Sequence, residues 1–276
     1  MEGGAAMTVA EYRKDPALNF SLAKTLATET PAHFLEAREN PDREETIAMR
    51  MGTAVHDLLQ GKFQEYAIKP AFNPFTRNQA DTWHGNKTWC KEWMSEQSLP
   101  MLSADEYAAV VGMRDALSEN PVFQMLQQMC PVVETPVFAT YRGVKIKALP
   151  DMIGYDSEGN RFIVDLKTAL DVSAFKFTKT VKNMCYHIQQ AWYCNAVALA
   201  EGLEEKPRYM LFTVEKPRPH LTRSFFLPDK ASEQGQRQMD KIIDLYLECM
   251  EKDLWPGYPD QPTILPWWDD EKSIPY

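Results

Sequence analysis

No stretch of this chain approaches the ~18 consecutive apolar residues that would cross a bilayer. The opening segment, MEGGAAMTVAEYRKD, has no basic region followed by an apolar run. A cytosolic location and no membrane partner are therefore expected. Paired cysteines are missing too. Cys90, Cys130, Cys185, Cys194 and Cys249 are scattered and form no CxxC, which excludes the common zinc and iron–sulfur patterns and leaves buried free thiols as the expectation. Positive charge is in short supply, with 30 Lys+Arg against 39 Asp+Glu and a net charge of −9. That balance excludes a protein that coats nucleic acid nonspecifically through a dominant basic face. It leaves room for a local basic channel, and Lys145, Lys147, Lys176, Lys179 and Lys182 cluster in sequence, although the same lysines read equally well as a solvated face. Internal repeats, low-complexity tracts and Gly/Ser linkers are also absent, so residues 1–276 are read as one domain.

The patterns that are present change along the chain. Residues 1–130 are mainly helical in character. One short helix is expected over 21–28, ended by Pro31, and another over about 44–59, where Met49, Val55, Leu58 and Leu59 recur at helical spacing. Residues 61–101 lack periodicity and read as an irregular insertion carrying Phe72, Phe75, Trp83, Trp89 and Trp93, most simply as core aromatics. Ser103 and Glu106 have the spacing of a capping box that opens a helix to about residue 118, and Pro121 starts a further short one. Residues 131–230 then switch to period two. Strands are expected over 133–140, 144–153 and 161–167 as an antiparallel meander, with turns at Arg142-Gly143 and around Gly159. A long helix over 181–200, strands over 208–214 and 222–227, and a helix over 230–251 follow. Residues 231–276 thus combine a helix with an extended, proline-rich tail containing Trp255, Trp267 and Trp268. This order predicts an α/β fold with a mixed central sheet flanked by helices.

Asp165 and Lys167 end an apolar strand, Phe162-Ile163-Val164, where charge is costly unless it has a task. Alternation puts both on one face. Pro150-Asp151 lies on the preceding strand, so hairpin pairing can bring its carboxylate beside that of Asp165. Two carboxylates and an ammonium at a sheet end can hold Mg²⁺ through oxygen while the lysine acts on a water or a phosphate, which is what phosphodiester hydrolysis requires. A structural Asp–Lys pair at a strand end is the bland alternative. Gln189 and Tyr193 share a helical face one turn apart. Gly52 and His56 also lie one turn apart, with the glycine expected to permit close helix packing.

Taken together, Gly52 and His56 (GxxxH), Pro150 and Asp151, Asp165-Leu166-Lys167 (DxK), and Gln189 and Tyr193 (QxxxY) resemble the RecB-like branch of the PD-(D/E)xK nucleases. Within it they look most like the RecE-type phage and prophage exonucleases known as exodeoxyribonuclease VIII. Ser21-Leu-Ala-Lys-Thr-Leu and Pro31-Ala-His-Phe34 are similar to the segment that opens RecE-type domains. The resemblance implies the PD-(D/E)xK fold, with the catalytic core in 131–230. It also implies a magnesium site, with Mn²⁺ possible, made by His56, Asp151, Asp165 and the Leu166 backbone carbonyl. Lys167 would act on the water or the leaving phosphate, and Gln189 and Tyr193 would contact DNA or support the site. Glu134 could help hold a second ion. No iron–sulfur cluster is expected. The implied activity is digestion of linear double-stranded DNA from 5′ to 3′ in the cytoplasm of a bacterial host, leaving 3′ strands for a single-strand annealing protein of the RecT or beta type. The implied assembly is a homo-oligomeric ring, trimer or tetramer. The residues equally allow endonuclease or single-strand nuclease activity at the same site, or an inactive DNA-end-binding protein.

Overall fold

The computed structural model describes residues 8–41, 46–59, 66–262 and 264. Its elements run α1 Val9–Lys14, β1 Leu18–Asn19, α2 Phe20–Thr28, α3 Pro31–Glu39, α4 Ile47–Leu59, β2 Ala67–Ile68, α5 Thr88–Ser95, β3 Met101–Leu102, α6 Ala104–Glu119 and α7 Pro121–Met129. There follow β4 Val132–Val133, β5 Val137–Tyr141, β6 Val144–Ala148, β7 Met152–Tyr155, β8 Arg161–Ala169, α8 Ala174–Asn183, α9 Tyr186–Glu201, β9 Arg208–Glu215, β10 Thr222–Phe225 and α10 Asp229–Lys252. The strands make a mixed sheet in the order β10-β9-β8-β7-β4, a smaller sheet β1-β6-β5, and the pair β2-β3. The α/β expectation holds.

Period-two burial explains how the larger sheet is covered. On one face Val164, Leu166, Phe212 and Val214 pack with Met51, Ala54 and Val55 of α4 and with α6 and α7. On the other, Ile163, Tyr209 and Leu211 meet Cys194 and Val197 of α9 and Phe177 of α8. Ile188 and Trp192 of α9 also reach the smaller sheet, where Val144 and Ile146 pack against α2 and α10. One helix thus serves two sheets, and its buried positions spread around the cylinder instead of forming a stripe.

Caps account for several boundaries. Ser103 and Glu106 form the expected box, with the Glu106 N–H donating to Ser103 Oγ at 3.1 Å and the Ser103 N–H to Glu106 Oε2 at 2.6 Å. Asn19 caps α2 by accepting from the Leu22 N–H at 2.7 Å. Pro31 ends nothing by itself; it opens α3, where its missing N–H costs no hydrogen bond.

Three expectations are corrected. The three-stranded meander is not one unit, because the strand expected over 144–153 is interrupted at 149–151 by Pro150, which cannot donate to a ladder. β6 pairs with β5 and β1, whereas β7 pairs with β8 and β4. The strand expected over 133–140 likewise divides at Pro136 and at Glu134, whose φ of 41° is left-handed. Finally, the helix expected over 181–200 is two helices joined at Cys185, at φ 58°.

The segment read as irregular contains α5, and its tryptophans form a cluster of their own. Trp83 meets Trp89 and Trp93 edge-on at 5.4 Å, while Phe72 and Phe75 remain exposed. The tail begins packed, not extended: Trp255 stacks on Phe34 at 5.1 Å and the Ala32 N–H donates to the Pro256 carbonyl. Residues 44 and 45, 61–65, Trp267 and Trp268 lie outside the described residues. All five cysteines are free and buried, and among the described residues no helix is long and apolar enough to cross a membrane.

Candidate active site

β8 carries Asp165 and Lys167 on the face covered by α9. Asp165 is 1% exposed, and its Oδ2 lies 2.5 Å from the Lys167 ammonium. Asp165 Oδ1 accepts a 3.2 Å hydrogen bond from the Gln189 side-chain amide on α9. Among the described residues the Lys167 ammonium is the one polar partner of Oδ2, and a carboxylate oxygen with a single such contact keeps acceptor capacity for a further ligand. The Lys167 ammonium also sits over the Tyr186 ring at 4.9 Å.

The break at Pro150 positions the second carboxylate. β7 and β8 pair only from Met152↔Val164 onward, so beyond Val164 the edge of β8 that faces β7 has no ladder partner. The Leu166 N–H points to that edge and donates to Asp151 Oδ2 at 2.6 Å. In an extended strand the N–H and C=O of one residue point the same way, so the Leu166 carbonyl faces this gap as well. Asp151 Oδ1 lies 3.6 Å from His56 Nδ1, which reaches across from α4. The side chains of His56 and Asp151 are each about one-fifth exposed.

Two cavities meet here. A 260 Å³ pocket is lined by His56, Asp151, Leu166, Phe123, Cys130 and Val133. A 790 Å³ cleft contains His56, Leu166, Lys167, Glu134, Gly52 and Lys216. Glu134 therefore faces the cleft from a bend after β4 instead of from a strand, and its N–H donates to the Asp151 carbonyl at 3.1 Å. Tyr193 lies one turn beyond Gln189, half-buried between the two cores. Sequence spacing drew attention to neither Tyr186 nor Lys216. Tyr186 follows a helix break that periodicity concealed, and Lys216 lies just past β9.

Gly52 does not have the expected packing role. A methyl group there would meet only Thr168 Oγ1, at 3.7 Å. Gly52→Ala is therefore expected to change stability by no more than about 1 kcal/mol, in the stabilising direction if helix propensity dominates. A fall in melting temperature comparable to that of a core substitution would refute this.

The lysine cluster also divides. Lys147 is buried, donates to the carbonyls of Tyr12 and Asp15 at 2.6 Å each, and so anchors the N-terminal segment. Lys176 pairs with Asp171, and Lys179 sits over Phe175. These contacts do not make one basic channel.

Burial pushes the Asp165 carboxyl up to about 6, with the Asp151 charge adding to the rise and Lys167 and His56 opposing it. For Lys167 burial alone would lower the ammonium, but Asp165 and Asp151 outweigh it and hold it above the ordinary lysine value. A raised carboxyl favours folding while it is protonated. Its contribution is complete below the ordinary carboxylate value and is lost as pH rises through about 6. Without divalent cations the melting temperature should thus fall between about pH 4 and about pH 6, and Asp165→Asn should lack that decline. An equal decline in both proteins would remove Asp165 as its cause.

Among the described residues no group of three or more His, Cys, Asp or Glu side chains is gathered as a ready-made metal cage. The donors nevertheless suit a hard divalent cation. Two carboxylates, a carbonyl on an unpaired strand edge and an imidazole surround one strand end. Asp151 already engages the Leu166 N–H and lies beside His56.

The family model described as "PDDEXK-like domain of unknown function (DUF3799)" matches residues 19–264. The chain belongs to this PDDEXK-like family. It is thereby placed in the PD-(D/E)xK nuclease class. The PDDEXK-like fold recurs in a solved structure from Eubacterium rectale, provisionally described as an exonuclease. That structure superposes with a TM-score of 0.65 at 15% identity, over 96% of this chain and 97% of the other. The structure of SSO0001 aligns with a TM-score of only 0.31 at 13% identity, over 71% of this chain and 86% of its own. No curated protein matches in sequence.

Proposed function

We propose that this chain is a Mg²⁺-dependent exonuclease that digests linear duplex DNA, with Mn²⁺ able to replace Mg²⁺. The observation that carries this reading is the buried Asp165 carboxylate, clamped between Lys167 and Gln189 beside Asp151 and His56. Supporting it are the PDDEXK-like family and the exonuclease description of the Eubacterium rectale protein.

In this reading His56, Asp151, Asp165 and the Leu166 carbonyl hold the cation, and Glu134 is placed on the cleft to assist a second one. The cation, when bound, supplies Lewis acidity toward a phosphate oxygen and an activated water. Gln189 fixes Asp165 Oδ1 and so aims Oδ2. Lys167, held above its ordinary value, stays charged near neutral pH. It therefore orients water or neutralises charge developing on the phosphate and does not serve as a proton acceptor. Tyr193 backs Gln189 from the next turn.

The RecE-like resemblance extends the proposal to 5′ to 3′ polarity, 3′ single strands passed to an annealing protein, and a homo-oligomeric ring. The decisive experiment incubates the protein with linear and covalently closed duplex DNA, with Mg²⁺ or with chelator. Loss of the linear form alone, dependent on Mg²⁺, is the expected result. Cutting of closed circles would replace this reading with an endonuclease, and binding without digestion would replace it with an inactive end-binding protein.

A further inference from the structure

Lys216 follows β9 and leaves the sheet on the α4 face, opposite to the face that carries Asp165 and Lys167. Two hydrogen bonds fix it in place: its N–H donates to the Ala169 carbonyl at 2.7 Å, and its ammonium donates to the Ala48 carbonyl, near the start of α4, at 3.3 Å. It lines the same cleft as His56, Lys167 and Gly52, and is half-buried there. Among the described residues it pairs with no carboxylate, and burial lowers its affinity for the proton. A partly buried ammonium without a counter-ion is a cost to the folded protein unless an anion arrives. Across this cleft, Gly52 leaves room where a side chain would otherwise stand.

Along the sheet, the β8–β9 register ends at Ala169↔Glu215. Lys216 therefore lies three residues beyond the level of Lys167, about 10 Å along the strand direction, a spacing that suits neighbouring phosphates on one strand.

We propose that Lys216 is a substrate-positioning residue, which binds a backbone phosphate adjacent to the scissile one and leads the DNA strand along the cleft past Gly52 to Lys167 and His56. The inference rests on the nuclease reading and deepens it, assigning the Lys216 ammonium an internal phosphodiester as partner. Charge without chemistry is what Lys216 supplies: it touches neither the cation nor the reacting water, and its contribution is to affinity and register.

The test compares wild type with Lys216→Met, which keeps length and removes charge, and Lys216→Arg, which keeps charge. Duplex DNA binding is measured by fluorescence anisotropy across a salt series with Ca²⁺ in place of Mg²⁺, and steady-state cleavage is measured with Mg²⁺. For Lys216→Met the slope of log affinity against log salt should become shallower by about 0.9, the signature of one lost phosphate contact. KM should rise roughly tenfold with kcat within about twofold, and Lys216→Arg should restore the slope. The melting temperature of DNA-free Lys216→Met should fall by no more than a few degrees, because the ammonium's hydrogen bond in the free protein is the long one to the Ala48 carbonyl. An unchanged slope in Lys216→Met, with cleavage intact, overturns this inference alone. So does a marked fall in its melting temperature, which would make Lys216 structural. Wild-type protein that neither binds nor cuts duplex DNA overturns the nuclease reading and this inference with it.

Discussion

Asp165→Ala is expected to lower Mg²⁺-dependent loss of linear duplex DNA by about 10³-fold or more, and Lys167→Ala by a similar factor. The two losses should differ in origin. Asp165 offers a buried carboxylate beside Asp151 and His56, so its removal should weaken cation binding as well. Lys167 contributes charge to the reacting phosphate, and its removal should leave cation affinity largely intact. Calorimetric titration with Mg²⁺ separates them. Full affinity in Asp165→Ala would contradict the ligand assignment, and lost affinity in Lys167→Ala would mean that the lysine organises the carboxylates instead of acting on substrate. Both variants should be folded, since each leaves the surrounding sheet pairs in place. Near-UV circular dichroism checks this before either loss is attributed to chemistry.

The second large effect concerns folding. Gly154 sits on β7, and a methyl group built there would lie 1.8 Å from the Met129 carbonyl oxygen and 2.4 Å from the Cys130 Cα. Both are backbone atoms at the end of α7, so no side-chain rotation relieves the clash. Relief requires α7 to separate from the sheet, which would open the packing of Phe123 and Leu126 against Phe212. Gly154→Ala is expected to cost about 4 kcal/mol or more, roughly a 10 °C fall in melting temperature for a chain of this size. Gly235 is comparable, because a methyl there would stand 2.0 Å from the His187 carbonyl oxygen and would push α10 off α9. A melting temperature within a few degrees of wild type for Gly154→Ala would show that the α7–β7 contact is looser than described. Because β7 brings Asp151 to the site, the same variant should lose nuclease activity in proportion to its unfolded fraction.

Much of the site was legible because its determinants are local. Asp165 and Lys167 interrupt an apolar strand, and period two alone puts them on one face, as the 2.5 Å pair confirms. Gln189 at helical spacing from Tyr193 pointed to a shared direction, and the amide does reach Asp165. Non-local consequences were less legible. Pro150 was read as part of the motif, but its effect on pairing depends on which strand would have received the missing N–H. Gly52 was read as a packing glycine, whereas its neighbour is the cleft. Lys147 and Lys176 belong to the same stretch of lysines in the sequence, yet one is buried beneath α1 and the other pairs with Asp171.

By itself, the sequence determined the α/β alternation of elements, the capped helix start at Ser103, and the chemical identity of the donors around Asp165. Each of these follows from side-chain period or from hydrogen bonds within a few residues. The tertiary structure alone decided that β6 and β7 belong to different sheets and that His56 crosses from α4 to Asp151. It also decided that the Leu166 carbonyl faces a gap in the ladder and that Lys216 shares the cleft while pairing with no described carboxylate. These depend on which distant segments meet. Such meetings are selected by the burial of whole faces, so no local window of residues contains them.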